Sequence, residues 1–370
     1  MKTLILHGTP YEMGYQHGVG VRALRGQVLA AVAAREQELE RLPYDVSPVL
    51  AEAVEALASA GQATWDMLHG IAAGLGVPAA RMQRYALSSY LLDYRYRLGL
   101  PGQDGTGGSE GCTCVAVSAP LLADGRALLA KNRDYRLEHQ DLQVLGDSRP
   151  ARGYRYIHLG SAGSAGVFSS GMNERGLAVA DTHVVSRDIG PGLPRFALMQ
   201  EILAHFDSVP AACAYLREVR HMGGGTLLLV DRAGRIGLCE SAYRHPVIEM
   251  QPEGWVVRTN HFLSERLRDV WVETDPPGER GNSQARYDWV VRRLSTASSV
   301  DVGWVKALLA SHRAGSAALC RHPRRGRSSA TISGIIFLPA QGSLWLAAGR
   351  PCEAGWEMRA GTETGLQLHR

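Results

Sequence analysis

The residues best suited to chemistry in this 370-residue chain are Gly111 and Cys112. A polar, glycine-rich stretch, Gly102–Gly111, stops abruptly at Cys112-Thr-Cys-Val-Ala-Val-Ser118, whose composition reads as a strand. If the peptide bond between them is cut, Cys112 becomes an N-terminus, and one residue then carries both a thiol and an α-amine. A free thiol ionises near pH ~8.5 and an α-amine near ~7.7–8.0, so the amine can take the thiol proton close to neutrality. The base does not exist before cleavage, which therefore calls for attack of the Cys112 thiolate on the Gly111 carbonyl and hydrolysis of the resulting thioester. Glycine suits that position because no side chain blocks the attack. The plainer reading is a strand cysteine that follows an ordinary Gly/Ser loop.

The elements that must position this thiol follow from periodicity. Residues 11–40 and 48–74 are helical in pattern, and Gly8-Thr-Pro-Tyr-Glu-Met-Gly14 opens the first helix with glycines that permit close packing. It is not a phosphate loop, lacking the Lys-Ser/Thr ending. From Cys112 onward strands and tight turns take over. Ala123-Asp-Gly-Arg126 supplies a turn and Ala127–Ala130 returns as a hairpin partner, which brings Lys131-Asn-Arg-Asp-Tyr135 back toward the thiol. Further strands are expected at residues 154–159, 166–170, 177–184, 226–231, 236–241, 330–338 and 343–348, and helices at 194–205, 209–219, 283–293 and 302–311. Consecutive hairpins with helices inserted in blocks predict an α+β fold of packed antiparallel sheets covered by helices.

Bulk properties narrow the function classes. A hydrophobic fraction of 45% supports a large core, while a net charge of +4, mostly from arginine, does not call for nucleic-acid binding. The run Arg321-His-Pro-Arg-Arg-Gly-Arg327 is either a solvated loop or an anion site. Six dispersed cysteines fit neither a disulfide framework nor a zinc pattern, since Cys112-Thr-Cys114 has no second pair behind it, so no metal or other cofactor is expected. The apolar start Met1–Leu6 is broken at His7–Pro10, and no membrane segment follows. The expectation is a cytoplasmic protein with a free thiol.

Three separated pieces share one site on this reading: Gly111-Cys112-Thr113, Asn132-Arg-Asp134 and Arg258-Thr-Asn-His-Phe262. In type, order and separation they resemble the N-terminal nucleophile hydrolases related to penicillin acyltransferase (isopenicillin N acyltransferase) and, more distantly, the choloylglycine hydrolases. Softer similarities at Tyr11–Gly18, Ser170–Ala178 and Ala348–Cys352 spread the resemblance over most of the chain. The hairpin from Cys112 to Asp134 is a few residues longer than in the penicillin enzyme. The resemblance implies a four-layer αββα sandwich, autocatalytic cleavage at Gly111/Cys112, Cys112 as nucleophile, Asp134 orienting the α-amine and thiol, and Asn260 donating to the oxyanion. An amide donor aimed at such an oxyanion is worth roughly 3 kcal/mol.

Arg133 and Tyr135 flank the motif and are expected to shape the acyl pocket; His183, His261 and Arg327 are further candidates for substrate contact, both histidines having an ordinary structural role as the alternative. Cys114 shares the strand face of Cys112, which would let it line the site, but it is expected to pack in the core. The chain would thus mature into residues 1–111 and 112–370, a heterodimer within one folded domain. It would act as a self-processing amidohydrolase or acyltransferase on a small-molecule amide or acyl donor, with acyl-CoA as one candidate and the arginines of 321–327 as its phosphate site. The rivals are a conventional hydrolase with an internal cysteine and a histidine base, and a binding protein of the same fold.

Overall fold

The computed structural model describes residues 1–101, 111–275, 279–312, 318–324, 328–362 and 365–369. Its centre is two stacked sheets. The first runs in the order β1 (Lys2–Gly8), β4 (Gln143–Pro150), β5 (Tyr156–Ser161), β6 (Ser170–Asn173), β7 (Ala178–His183), β8 (Gly225–Val230), β9 (Ile236–Ser241), β10 (Val247–Gln251). The second runs β11 (Trp255–Arg258), β2 (Thr113–Val117), β3 (Leu128–Arg136), β12 (Ser329–Leu338), β13 (Ser343–Ala347), β14 (Trp356–Thr362), β15 (Gly365–His369). All neighbours pair antiparallel except β1 and β4, which are parallel.

Strand alternation builds the layers. Cys114, Ala116 and Leu129 of the second sheet meet Leu145, Leu159, Ala180 and Leu228 of the first in a dry inter-sheet core. The alternate residues Val115, Val117, Leu128 and Ala130 face outward onto α9 (Asn282–Ser295) and α10 (Val302–Leu309). On the far side, α7 (Arg195–His205) and α8 (Val209–Glu218) bury Met199, Ile202, Ala212 and Leu216 against Val179, Leu227 and Leu229 of the first sheet. The result is the αββα sandwich, as expected.

The N-terminal helices are α1 (Pro10–Gly20), α2 (Arg25–Glu40), α3 (Ser47–Ala60), α4 (Gln62–Leu75), α5 (Ala79–Ala86) and α6 (Ser88–Arg97). The first expected helical stretch is two helices, broken at Val21–Leu24, and the second is split at Gly61. Thr9 caps α1 in a capping box with Glu12. The glycines expected to allow close packing do so against α4: a Cβ on Gly14 would lie 2.1 Å from the Met67 carbonyl oxygen, and one on Gly70 equally close to that of Tyr11. The apolar start of the chain is the edge strand β1, in register with β4 from Lys2↔Val144 to Gly8↔Pro150. The strand expected at 166–170 instead begins at Ser170, and β4, β10, β11, β14 and β15 had not been anticipated. No helix among the described residues is long and apolar enough to cross a membrane.

Candidate active site

β2 and β3 pair with Thr113 opposite Asn132, so the returning hairpin does bring the Lys131–Tyr135 segment to Cys112. Cys112 sits just before β2, nearly buried at 7% exposure, and its thiol donates to the Asp134 carbonyl at 3.6 Å. Burial pushes this thiol's pKa up, with Lys131 opposing that shift. Burial thus favours the neutral thiol over the thiolate.

The pleat of β3 divides its side chains. Lys131, Arg133 and Tyr135 line a cleft that Cys112 also lines, a space of about 1080 Å³ including its open mouth. Asn132 and Asp134 lie outside that lining: the Asn132 amide donates to the carbonyls of Leu309 and Leu319 at 2.8 and 2.9 Å, and Asp134 accepts from Thr331 Oγ1 at 2.5 Å. Arg321 Nη1 stands 3.8 Å from the Asp134 carboxylate, both side chains fully buried. Gly111 is wedged beside this pair. A Cβ there would come 1.9 Å from Arg321 Nη1 and 2.9 Å from Asp134 Oδ2, so a larger residue would have to displace the Arg321 guanidinium.

Asn260 reaches the same neighbourhood because β11 pairs with β2, Arg258 opposite Cys114. Beyond Arg258 the segment is pinned: Asn260 N donates to Ser283 Oγ at 2.7 Å, Thr259 Oγ1 to the Ser283 carbonyl at 3.0 Å, and Glu240 accepts from Leu263 N and Ser264 N. The residue that joins Asn260 to Cys112 is one the sequence did not single out. Arg286 of α9, buried, donates to the Cys112 carbonyl at 2.7 Å, to Thr113 Oγ1 at 2.9 Å and to Asn260 Oδ1 at 2.7 Å, with Asn282 bracing its Nε. With Oδ1 held by a guanidinium, the amide orientation is fixed; its nitrogen gives one N–H to the His183 carbonyl at 2.8 Å and carries a second. Burial, with Arg321 nearby, lowers the pKa of Arg286 to about 10, still charged at neutrality.

The cleft also holds a charge network that the sequence did not single out. Lys131 Nζ donates to Asp181 Oδ1 at 2.7 Å and to the Ser169 carbonyl, and Arg195 Nε donates to Asp181 Oδ2 at 3.0 Å. Burial alone would lower the pKa of Lys131 and raise that of Asp181, but their mutual attraction reverses both shifts, so the pair is ionised. The returning hairpin already brought Lys131 toward the thiol, and strand alternation from Leu129 was the signal that could have put its side chain on the cleft face. Aromatic walls complete the cleft: Tyr135 lies edge-on to Phe168, and Phe168 stacks on Phe196.

Of the remaining expected contacts, Arg133 lines the cleft but spends its guanidinium on the Gly160 carbonyl and Ser161 Oγ, both at 2.8 Å. His183 lines it too, its ring 2.7 Å from Asp93. His261 does not line it. Its ring bonds Ser283 and Thr259, and burial, then Arg286 and Arg258, lower its pKa to about 4. In these bonds each histidine faces a partner other than the Cys112 thiol. Arg327 lies outside the described residues. In the basic run, Arg321 turns inward to Asp134 and Glu279, whereas Arg324 is exposed. Cys114 packs between the sheets, its thiol donating to the Asp181 carbonyl at 3.3 Å.

Comparison with known proteins finds a match between residues 121–352 and the family model of acyl-coenzyme A:6-aminopenicillanic acid acyl-transferase. The matched span is more than half of the chain; it contains Asp134, Asn260 and Arg286 and begins after Cys112. No curated protein matches the sequence. Among solved structures, a mutant conjugated bile acid hydrolase from Clostridium perfringens aligns at 13% identity and TM-score 0.48, over 70% of this chain and 96% of its own. Penicillin V acylase from Agrobacterium tumefaciens aligns at 14% identity and TM-score 0.40, over 68% of this chain and 86% of its own.

Proposed function

Because the chain belongs to the acyl-coenzyme A:6-aminopenicillanic acid acyl-transferase family, we propose that it is a self-processing thiol enzyme that hydrolyses or exchanges the acyl group of a small-molecule amide. Family membership carries the coarse activity, acyl transfer or hydrolysis at a C–N bond. The finer reading rests on one observation: the Gly111–Cys112 bond has the thiol side facing the cleft and the Asp134 carboxylate against its glycine.

In maturation the Cys112 thiolate attacks the Gly111 carbonyl, the peptide becomes a thioester, and water releases a Gly111 carboxylate and the Cys112 α-amine. The new ammonium lies within reach of Asp134, which holds it beside the sulfur. In turnover the amine takes the thiol proton, the sulfur attacks the substrate carbonyl, and the second Asn260 N–H steadies the oxyanion. The protonated amine then supplies the leaving nitrogen, and water or an acceptor amine takes the acyl group from the thioester. Arg286 acts on Asn260 and on the Cys112 carbonyl, fixing their relative position.

The two fragments would remain one body, because β1 is an edge strand of the first sheet and the cleft takes Arg35, Tyr85 and Tyr90 from before the break and Phe168, His183 and Arg195 from after it. The aromatic walls beside ionised groups fit an amide with an apolar acyl chain and a polar head. With Arg321 committed to Asp134, a phosphate site for acyl-CoA in the basic run would rest on Arg324 and on Arg325 and Arg327.

The decisive measurement is a mass spectrum of the purified protein, with and without a panel of acylated amines. The expected result is two fragments of about 12 and 28 kDa, in proportion to residues 1–111 and 112–370 of the 40.1 kDa chain, the larger starting at Cys112 and gaining an acyl mass. Turnover by an intact 40.1 kDa chain would overturn the mechanism in favour of an internal cysteine.

A further inference from the structure

Outside the lining of the cleft, four soft donors that are scattered in sequence converge at one end of the second sheet. His312 follows α10, Cys320 and His322 precede β12, and Cys352 lies in the turn after β13. One donor atom from each lies within 4.8 Å of all the others. Cys320 Sγ and Cys352 Sγ are 3.4 Å apart, the Nε2 atoms of His312 and His322 are 2.9 Å apart, and His322 Nε2 is 3.3 Å from Cys352 Sγ. We propose that His312, Cys320, His322 and Cys352 bind one zinc ion in a closed tetrahedral site that ties the segment after α10 to the turn after β13.

The geometry favours a shared cation over a covalent link. A disulfide needs its sulfurs about 2.05 Å apart. Ligands at about 2.3 Å (sulfur) and 2.0 Å (nitrogen) around a tetrahedral ion put two sulfurs about 3.8 Å apart and two nitrogens about 3.3 Å apart, within a few tenths of an ångström of what is seen. Two histidines and two cysteines are a set that zinc takes in structural sites, and two thiolates neutralise its charge. A carboxylate completes the arrangement: Glu353 Oε1 lies 3.4 Å from His322 Nδ1, and Arg350 holds Glu353 at 2.8 Å. A carboxylate on one ring nitrogen fixes the tautomer that turns the other nitrogen's lone pair toward a metal.

The site would brace the active-site wall without touching substrate. Leu319 and Cys320 donate their N–H groups to the Ser311 carbonyl, the Leu319 carbonyl accepts from Asn132, and the next residue, Arg321, faces Asp134. On binding, the two thiol protons leave as two sulfur–metal bonds form.

The test is metal analysis of the full chain produced with zinc, together with Co2+ replacement. About one zinc per chain is expected, with a thiolate-to-cobalt charge-transfer band and the strong visible bands of a tetrahedral site in the Co2+ form. Cys352→Ser and His322→Ala should each lower zinc to below about a tenth per chain, and a chelator should lower the melting temperature of the parent but not of Cys352→Ser. Should the variants not fold, the Co2+ spectrum of the parent decides alone. Parent protein that takes up neither ion, an octahedral cobalt spectrum, undiminished zinc in Cys352→Ser, or a Cys320–Cys352 disulfide in protein alkylated at lysis would each overturn the proposal.

Discussion

The two faces of β3 carry charged groups on adjacent residues, Arg133 and Asp134, in different surroundings. On one, Lys131, Arg133 and Tyr135 line the open cleft, and Lys131 is balanced by Asp181, which Arg195 shares. On the other, Asn132 and Asp134 are sealed, bound to the segment before β12, to Thr331 and to Arg321. Cys112 stands at the boundary, its sulfur in the cleft and its preceding glycine pressed against the sealed carboxylate. On the function proposed above, the contrast separates two tasks: the cleft face would meet the substrate, while the sealed face would place a carboxylate beside one peptide bond.

That separation can be broken by substitution, beginning with the boundary itself. Cys112→Ala should leave the chain uncut on denaturing gels and reduce turnover by about 10⁴-fold or more. Asp134→Asn, on the sealed face, should slow the appearance of the two fragments by about 100-fold, since an amide cannot pair with the emerging ammonium; rapid cleavage would assign the carboxylate another job. Gly111→Ala tests the same face sterically. The added carbon meets Arg321 and Asp134, and we expect impaired cleavage with a loss of about 1–3 kcal/mol in denaturant titrations. On the cleft face, Phe168→Ala should raise KM by about tenfold while cleavage proceeds at the parental rate; an equal effect on both would show that the faces are not independent.

The smallest effect lies outside both faces. His17 is buried in α1, accepts from Gly163 N at 3.0 Å, and has its pKa lowered by burial, with His158 adding to it, from 6.5 to about 3. The unfolded chain therefore binds a proton that the folded chain refuses, so stability is complete above pH 6.5 and falls as the pH drops toward 3. His17→Gln should move the acid-unfolding midpoint, followed by circular dichroism, to lower pH without altering cleavage at pH 8. His158, lowered to about 4 by burial, keeps some of the acid sensitivity in place.

Much of this was legible in the chain. Runs of apolar and small residues bounded by turns gave β2, β7, β9, β12 and β13 nearly to the residue, whereas β3 was seen only at its start and runs on to Arg136. The short strand β6 was misplaced toward its N-terminal side, and β10 and β11 escaped notice because they are brief and only partly buried. In the site, Asn-x-Asp and Thr-Asn-His were visible as motifs. Arg286 was not, since a lone arginine in a helix has no local signature and its role comes from reaching Cys112 across 174 residues of sequence. Nor could cysteine spacing reveal the His312, Cys320, His322 and Cys352 cluster, whose members are brought together by the pairing of β12 with β13.

By itself the sequence determined most of the element types, the β2–β3 and β12–β13 hairpins and the thiol after a glycine, which depend on nearby residues, and the family resemblance, which rests on short motifs in a fixed order. Only the tertiary structure decided which side of β3 faces the cleft, which arginines are consumed internally, that His261 is a structural residue and that four distant soft ligands meet. Those outcomes depend on the stacking of two sheets, where burial forces every charge to find a partner, and the partner is chosen by the fold rather than by sequence distance.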